Sequence, residues 1–507
     1  MSQSLRTSLL HRSEKRAAMA GPLISLCMIV RNEEQRLPGC LESVRGLVDE
    51  FVIVDTGSTD KTKAVAESFG AKTVSFAWCD DFSEARNQSL RHAKGEWIIF
   101  LDADEVLKGA GEQDCLRKAA SVGGVDAYFV PILSSRTNGE SESRVGSAVR
   151  FFRNFPGIRF SGRVHESVDR FLSEVGARAV HSNFFIEHFG YGLGRDIVKK
   201  KYERNLDLLE KELAENPRNA HARYHLGLTC MVLEREKEAR EAFDRALSGT
   251  GLTPSLEAMI LNMKSYHHVR AGEYDPADDA CSRSLELAPI QNTARQLKGL
   301  IFFHRHAYGE ALPLLLESYR FITLPAHERK SDIFFEDSID KHSLIEIIGI
   351  CFSESGHFED AIPFLKLTAH RKKDRSCFER LGICLLNAGD FSGAAEYLEK
   401  ADAENSEPGT LALPLSFARF KSGDFRRAAD SFLCAEPRDA NEAAIAFQLL
   451  QAMEAEEGFR PYLSECIRSK RDLFRDAFPE DFSRFLTRAG KSGSESERSM
   501  EQMETQA

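Results

Sequence analysis

Two aspartates one residue apart, Asp102-Ala103-Asp104, directly follow the apolar run Trp97–Leu101. At a strand terminus both carboxylates can turn toward one cation. Mg²⁺ and Mn²⁺ favour such hard oxygen ligands and often share them with substrate phosphates. A metal held there would neutralise charge building on a departing diphosphate; a solvated or helix-capping pair is the plainer alternative. Asp55 closes a second apolar run, Phe51–Val54, and opens Asp55-Thr56-Gly57-Ser58-Thr59-Asp60. Its carboxylate could bond a base edge or a ribose, although Asp, Gly and Ser also build ordinary turns. His165-Glu166, within Gly162-Arg163-Val164-His165-Glu166-Ser167, sets a carboxylate beside an imidazole, which suits a general base or a structural pair. His188, in Glu187-His188-Phe189-Gly190-Tyr191, could complete a metal sphere or serve structure alone. Arg86, in Arg86-Asn87, could clamp a diphosphate oxygen or make a salt bridge.

The elements that must position these residues read as alternating strands and helices. Leu23–Val30, Phe51–Val54, Lys72–Phe76 and Trp97–Leu101 are strand-like, and Glu33–Val44, Lys61–Phe69 and Phe82–Ala93 are helix-like, with Asp60 as an N-cap. Such alternation predicts a parallel sheet with helices on both faces, and the continuous apolar strands fit burial on both sides. Open α/β sheets bind ligands at strand ends, where Asp55 and Asp102 lie. Asp126–Leu133, Ala148–Arg153 and Ala177–Glu187 read as further strands of the same domain, in mixed pairing.

From about residue 195 the pattern is helical and repeats. Ala239, Ala277, Ala311, Ala361, Ala394 and Ala428 mark the second helix of successive units. A small residue recurs earlier in each unit (Gly227, Ser265, Gly299, Gly349, Gly382, Ser416). A bulkier one follows each alanine (Phe243, Cys281, Leu315, Leu365, Leu398, Phe432). This is the signature of tetratricopeptide repeats, with an insertion expected around Tyr319–His342.

A chain of 507 residues exceeds one core. Residues 1–21 are expected as a disordered arm, 22–194 as the α/β domain, 195–487 as the repeat domain and 488–507 as a disordered tail. Residues 1–20 lack the apolar centre of a secretory signal, and translation could start at Met1 or Met19. With 42% apolar and 29% charged residues the chain reads as globular, and a net charge of -11 argues against a general nucleic-acid binder while allowing one bound nucleotide. Eleven scattered cysteines without a Cys-x-x-Cys pair predict reduced thiols and a cytoplasmic protein. No apolar run reaches the roughly 18 residues that span a bilayer, which leaves peripheral attachment open.

Ile24–Leu107 resembles a family-2 glycosyltransferase of the GT-A fold, a Rossmann-like mixed sheet. The resemblance is carried by Val30-Arg31-Asn32-Glu33-Glu34, Val54-Asp55-Thr56-Gly57-Ser58-Thr59-Asp60, Phe82-Ser83-Glu84-Ala85-Arg86-Asn87 and Phe100-Leu101-Asp102-Ala103-Asp104-Glu105. Residues 148–191 resemble the rest of a subgroup bearing C-terminal tetratricopeptide repeats. The resemblance implies a nucleotide-diphosphate sugar donor, a UDP-sugar first, and one inverting displacement. It implies that Asp55 holds base or ribose and that Val30, Asn32, Glu34, Arg86 and Asp102 also serve the nucleotide sugar. Asp104, with Asp102 and His188, would hold Mn²⁺ or Mg²⁺. Glu166 would take the acceptor proton, with His165 as a substitute. Relatives often carry an aromatic residue where this chain has Arg31, which weakens the inference to a particular base.

Stacked repeats offer a groove for an extended peptide or protein, the first acceptor expected; a cell-surface or lipid-linked glycan is the second. A rival of another class is a repeat scaffold with an inactive catalytic domain. The intact Asp55, Asp102, Asp104 and Glu166 argue against it.

Overall fold

A computed structural model of the chain describes residues 21–109, 114–134, 144–189, 195–325, 328, 329, 331, 333, 339–403 and 410–491. The arm at 1–20, the boundary at 194/195, Gly190-Tyr191, part of the Tyr319–His342 insertion and the tail beyond 491 lie outside them. The described residues fall into two compact units. One runs from 21 to 307 and includes 313–340; the other comprises 308–312 and the residues from 341 onward.

The first unit opens on β1 (Ile24–Val30), α1 (Leu37–Ser43), β2 (Glu50–Asp55), α2 (Thr62–Ser68), β3 (Lys72–Ser75), α3 (Phe82–His92) and β4 (Trp97–Phe100). It continues with β5 (Glu105–Lys108), α4 (Cys115–Ala120), β6 (Ala127–Ser134), β7 (Arg144–Arg153), α5 (Asp169–Glu174), β8 (Ala179–His181) and β9 (Phe185–His188). The nine strands form one mixed sheet in the order β3-β2-β1-β4-β7-β6-β9-β5, with β8 also paired to β6. β3, β2, β1 and β4 are parallel, and β7 joins β4 antiparallel. Successive strand residues alternate between two cores. Leu26, Met28, Ile53 and Ile99 enter one; Cys27, Val52, Ile98 and Phe100 enter the other. Burial on both faces explains why these strands read as unbroken apolar runs.

Three local expectations change. The helix expected from Glu33 starts at Leu37. The N–H groups of Glu33 and Glu34 are instead bonded across to Thr62 Oγ1 (2.7 Å) and Asp60 Oδ2 (3.2 Å). Lys61, not Asp60, occupies the N-cap of α2, although Asp60 Oδ1 still accepts the Thr62 N–H at 2.9 Å. The strand expected over Ala177–Glu187 is cut in two by a turn that Ser182 closes, its hydroxyl donating to Phe184 O at 2.6 Å. The halves pair with different stretches of β6.

Helices follow in antiparallel pairs: α6 (Arg195–Glu215), then α7 (Ala220–Val232) with α8 (Glu236–Leu247), α9 (Pro254–Arg270) with α10 (Tyr274–Leu287), and α11 (Thr293–His304) with α12 (Tyr308–Thr323). Residues of α12 are divided between the units. The second unit holds α13 (Lys341–Glu354) with α14 (Phe358–Lys372), α15 (Arg375–Asn387) with α16 (Phe391–Ala403), α17 (Ala412–Lys421) with α18 (Phe425–Cys434), and α19 (Ala440–Glu454), α20 (Arg460–Ala477) and α21 (Pro479–Lys491). Helix α21 passes the boundary expected at 487/488, because Ala489 packs into the last apolar cluster and Arg488 pairs with Glu454.

All six anchor alanines are fully buried. The small residues let paired helices approach. A Cβ on Gly227 would lie 2.5 Å from the Phe243 ring, and one on Gly299 would lie 2.6 Å from Leu315. Where serine replaces glycine, its hydroxyl donates to the anchor carbonyl: Ser265 to Ala277 O at 2.9 Å and Ser416 to Ala428 O at 2.8 Å. Gly227→Ala is expected to destabilise the folded state by about 1–3 kcal/mol through overpacking. Urea unfolding checks this; an unchanged midpoint would mean that the α7–α8 contact relaxes freely.

Candidate active site

The ends of β1, β2 and β4 lie side by side, and the loops that leave them carry the candidate residues. The first two loops are laced together. Val30 O accepts from Thr56 N (3.0 Å) and Thr56 Oγ1 (3.1 Å). Asn32 holds a left-handed backbone (φ 56°), its Oδ1 accepting the Thr59 N–H at 2.8 Å while its own N–H donates to Ser58 Oγ at 3.0 Å. Glu34 Oε2 accepts the Lys61 N–H at 2.8 Å. Asp55 is buried and accepts from Ser58 N (3.1 Å) and Ser58 Oγ (2.5 Å). Val30, Asn32, Glu34 and Asp55 thus converge on one turn, residues 56–61, whose shape they fix.

A second group forms around Arg86, which α3 delivers from its middle. Asp81 caps that helix by accepting the Glu84 N–H. The guanidinium donates through Nε to Glu166 Oε1 at 2.5 Å and through Nη2 to Asp102 Oδ1 at 2.6 Å. One buried cation therefore joins the carboxylate after β4 to the carboxylate of the 161–167 loop, across 80 residues from Arg86 to Glu166. Such fork geometry suits arginine and not lysine. Burial works against the charge on Arg86, but Asp102 and Glu166 outweigh it and raise its pKa. Asp102 is opposed by burial in the same way, yet Arg86 and Arg150 hold it well below the usual carboxylate range.

Arg150, from β7, completes this group. It pairs with Glu105 at 2.8 Å and approaches Asp102 Oδ2 to 3.9 Å. Glu105 is buried, and Oε2 accepts the Asp102 N–H at 2.9 Å, which closes the Asp102–Glu105 turn. The ring of Phe100 packs against both guanidiniums, its centroid 4.9 Å from Arg86 and 4.4 Å from Arg150. Arg86 Nη1 and Arg150 Nε and Nη1 are buried without a hydrogen-bond partner.

Asp104 has a different partner. Its Oδ2 lies 3.3 Å from His188 Nε2, and its carbonyl accepts the Phe189 N–H, so β9 fixes the pair. Burial lowers the His188 pKa, but the Asp104 hydrogen bond and the charges of Asp104, Glu105 and Asp102 outweigh it and hold it above its ordinary value. Among the described residues no group of three or more His, Cys, Asp or Glu side chains is arranged around one cation position. Asp104 and His188 nevertheless fit a Mg²⁺ or Mn²⁺ that takes its remaining ligands from phosphate and water.

His165 lies apart from these carboxylates. Its backbone is left-handed (φ 56°), and its ring stacks on His225 of α7, centroids 4.1 Å apart and 7° from parallel. Burial, then His221, Lys201 and Arg204, push it down to about 4. The ring is therefore neutral at pH 7.

The sequence model of glycosyl transferase family 2 matches residues 25–156, and that of a tetratricopeptide repeat matches 201–255. A repeat-containing protein of Synechococcus elongatus is 35% identical over 278 residues, covering 53% of this chain and 67% of that protein. This chain belongs to glycosyltransferase family 2. The prophage-derived glycosyltransferase SunS of Bacillus subtilis is 28% identical over 232 residues, 45% of this chain and 54% of SunS. An uncharacterized glycosyltransferase of Rickettsia bellii is 39% identical over 84 residues, 17% of this chain and 28% of that one. The match thus spans about two thirds of the first relative's length and about half of SunS.

Residues that the sequence analysis did not single out also stand among these groups. Glu33 and Glu105 stood inside the quoted motifs without a role. Burial, and beyond it the charges of Asp104, Asp102 and Asp60, raise the Glu33 carboxyl above its ordinary range despite Arg36. Arg150 had no local signal, because only the antiparallel return of β7 beside β4 brings it to Asp102. Among the described residues no helix is long and apolar enough to cross a membrane, and all eleven cysteines are outside disulfides.

Proposed function

We propose that the chain transfers a sugar, with inversion, from a UDP-sugar to an acceptor chosen by the repeats, a peptide or protein first. The observation that carries this reading is the Arg86 bridge between Asp102 and Glu166, beside the Asp104–His188 pair. On this reading the turn at 56–61, with Asp55, holds the nucleoside. The guanidiniums of Arg86 and Arg150, both beside Asp102, would supply positive charge near the donor's diphosphate. Asp104 and His188 would hold Mn²⁺ or Mg²⁺, which when bound neutralises charge on the leaving diphosphate.

In the transfer itself an acceptor heteroatom attacks the anomeric carbon from the face opposite the diphosphate. Its proton passes to the Glu166 carboxylate, and the carbon–oxygen bond to the diphosphate breaks with its electron pair leaving on UDP. Arg86 holds the Glu166 carboxylate in place through Nε and ties its position to Asp102.

Calorimetric titration with UDP and with GDP, each with Mn²⁺ or with EDTA, tests the donor side. UDP is expected to bind when Mn²⁺ is present and to weaken at least about tenfold in EDTA, as hard-cation sharing of phosphate implies. Binding of GDP but not UDP would overturn the base assignment, and metal-independent binding would remove the cation from it.

A further inference from the structure

The loop that carries Glu166 is held by the α/β domain on one side and by the helices that follow it on the other. Its base is closed by two backbone bonds, Ser161 N to Ser167 O (3.0 Å) and Ser167 N to Ser161 O (3.2 Å). Within it, consecutive residues turn to different partners. Arg163 N donates to Glu212 Oε2 and its guanidinium to Glu215 Oε1, each at 2.5 Å, both on α6. Val164 packs in an apolar cluster with Leu208 and Leu209 of α6 and Ala222 of α7. His165 stacks on His225 of α7. Glu166 turns back to Arg86, and Arg163 also keeps two bonds to the α/β domain, its carbonyl accepting the Phe82 N–H at 2.9 Å and Nη1 donating to Asp80 O at 3.3 Å. His225 is itself braced by His221 one turn earlier, their Nε2 atoms 3.2 Å apart. All of these contacts lie within the first compact unit.

We propose that His225 is a positioning residue for the transfer reaction: by fixing the His165 ring, the first repeat helix sets where the Glu166 carboxylate stands. The inference rests on the reading of Glu166 as acceptor base. The loop is short and cinched at its base, so a shift of the left-handed turn at His165 is passed to its neighbour Glu166. A displacement of about 1 Å at a base can slow a reaction about 100-fold without weakening substrate binding. The repeats would then do more than gather the acceptor, since one of their helices forms part of the catalytic support.

The groups around the stack are consistent with neutral rings. Lys201 and Arg204 of α6, with His221, face His165, and each disfavours its protonation. Burial likewise keeps His225 well below the ordinary histidine range. A neutral aromatic side chain should therefore replace His225, whereas an aliphatic one of similar size should not.

The test uses full-length His225→Ala, His225→Leu and His225→Phe, with Glu166→Gln as reference. The assay is hydrolysis of whichever of UDP-glucose, UDP-galactose and UDP-N-acetylglucosamine the parent chain turns over fastest. His225→Ala and His225→Leu are expected to lower kcat about 10- to 100-fold with KM nearly unchanged, and His225→Phe to restore most of it. If the alanine variant fails to fold, the leucine and phenylalanine variants carry the comparison. Equal kcat in those two, or parent kcat in the alanine variant, would overturn the proposal while Glu166→Gln remains inactive. Parent activity in Glu166→Gln would instead overturn the reading of Glu166 on which it rests.

Discussion

Glu166→Gln is expected to slow transfer by about 10²- to 10⁴-fold, the usual range for loss of a general base, while leaving UDP binding nearly unchanged. The glutamine test separates two roles that the geometry combines. Glu166 anchors Arg86 through Nε, and the amide oxygen of glutamine can accept that bond as the carboxylate does. Glutamine cannot take the acceptor proton. Loss of transfer in Glu166→Gln together with an unchanged melting temperature therefore identifies the base. Retained transfer in Glu166→Gln with loss in Glu166→Ala would identify an anchor only.

Arg86→Met is expected to reduce transfer further than any other single change outside the two carboxylates, and to lower stability as well. It removes the cation that joins Asp102 to Glu166 and leaves the largely buried Glu166 carboxylate unpaired. Breaking a buried pair in this way typically destabilises by about 3–5 kcal/mol. Arg86→Lys keeps the charge but cannot reach both carboxylates with a planar fork, so it should recover stability better than activity. Urea unfolding and donor hydrolysis measured on the same samples check both halves. Equal recovery of stability and activity by lysine would mean that charge, not geometry, is what Arg86 supplies.

Much of the fold was legible because burial on both sheet faces writes itself into the chain as unbroken apolar runs, as at Ile24–Val30 and Trp97–Phe100. The repeats were legible for a similar reason. Close helix pairs demand a small residue opposite a bulky one, and Gly227 with Phe243 or Gly382 with Leu398 meet that demand at a constant spacing. What escaped was set by contacts between distant segments. The start of α1 moved because Glu33 and Glu34 bond to the turn after β2. Of the site, Asp102, Asp104, Asp55 and Glu166 announced themselves by residue type and strand-end position. Their pairing did not, because nothing in the spacing of Arg86, Asp102 and Glu166 says that one guanidinium holds both carboxylates. Arg150 and His225 were invisible for the same reason: each reaches the site through tertiary packing of an element with an unremarkable local pattern.

The division of labour between the two aspartates is the central claim. Asp102 is bound by arginines, whereas Asp104 pairs with His188 and, on the proposed reading, would serve a cation with the donor's phosphates. Release of UDP from a turned-over UDP-sugar in Mn²⁺, measured side by side for the parent chain and Asp104→Asn, tests it most directly. The parent chain should release UDP, stop on chelation and resume on adding Mn²⁺, while Asp104→Asn stays inactive at every Mn²⁺ concentration. Equal rates in the two chains would contradict the account.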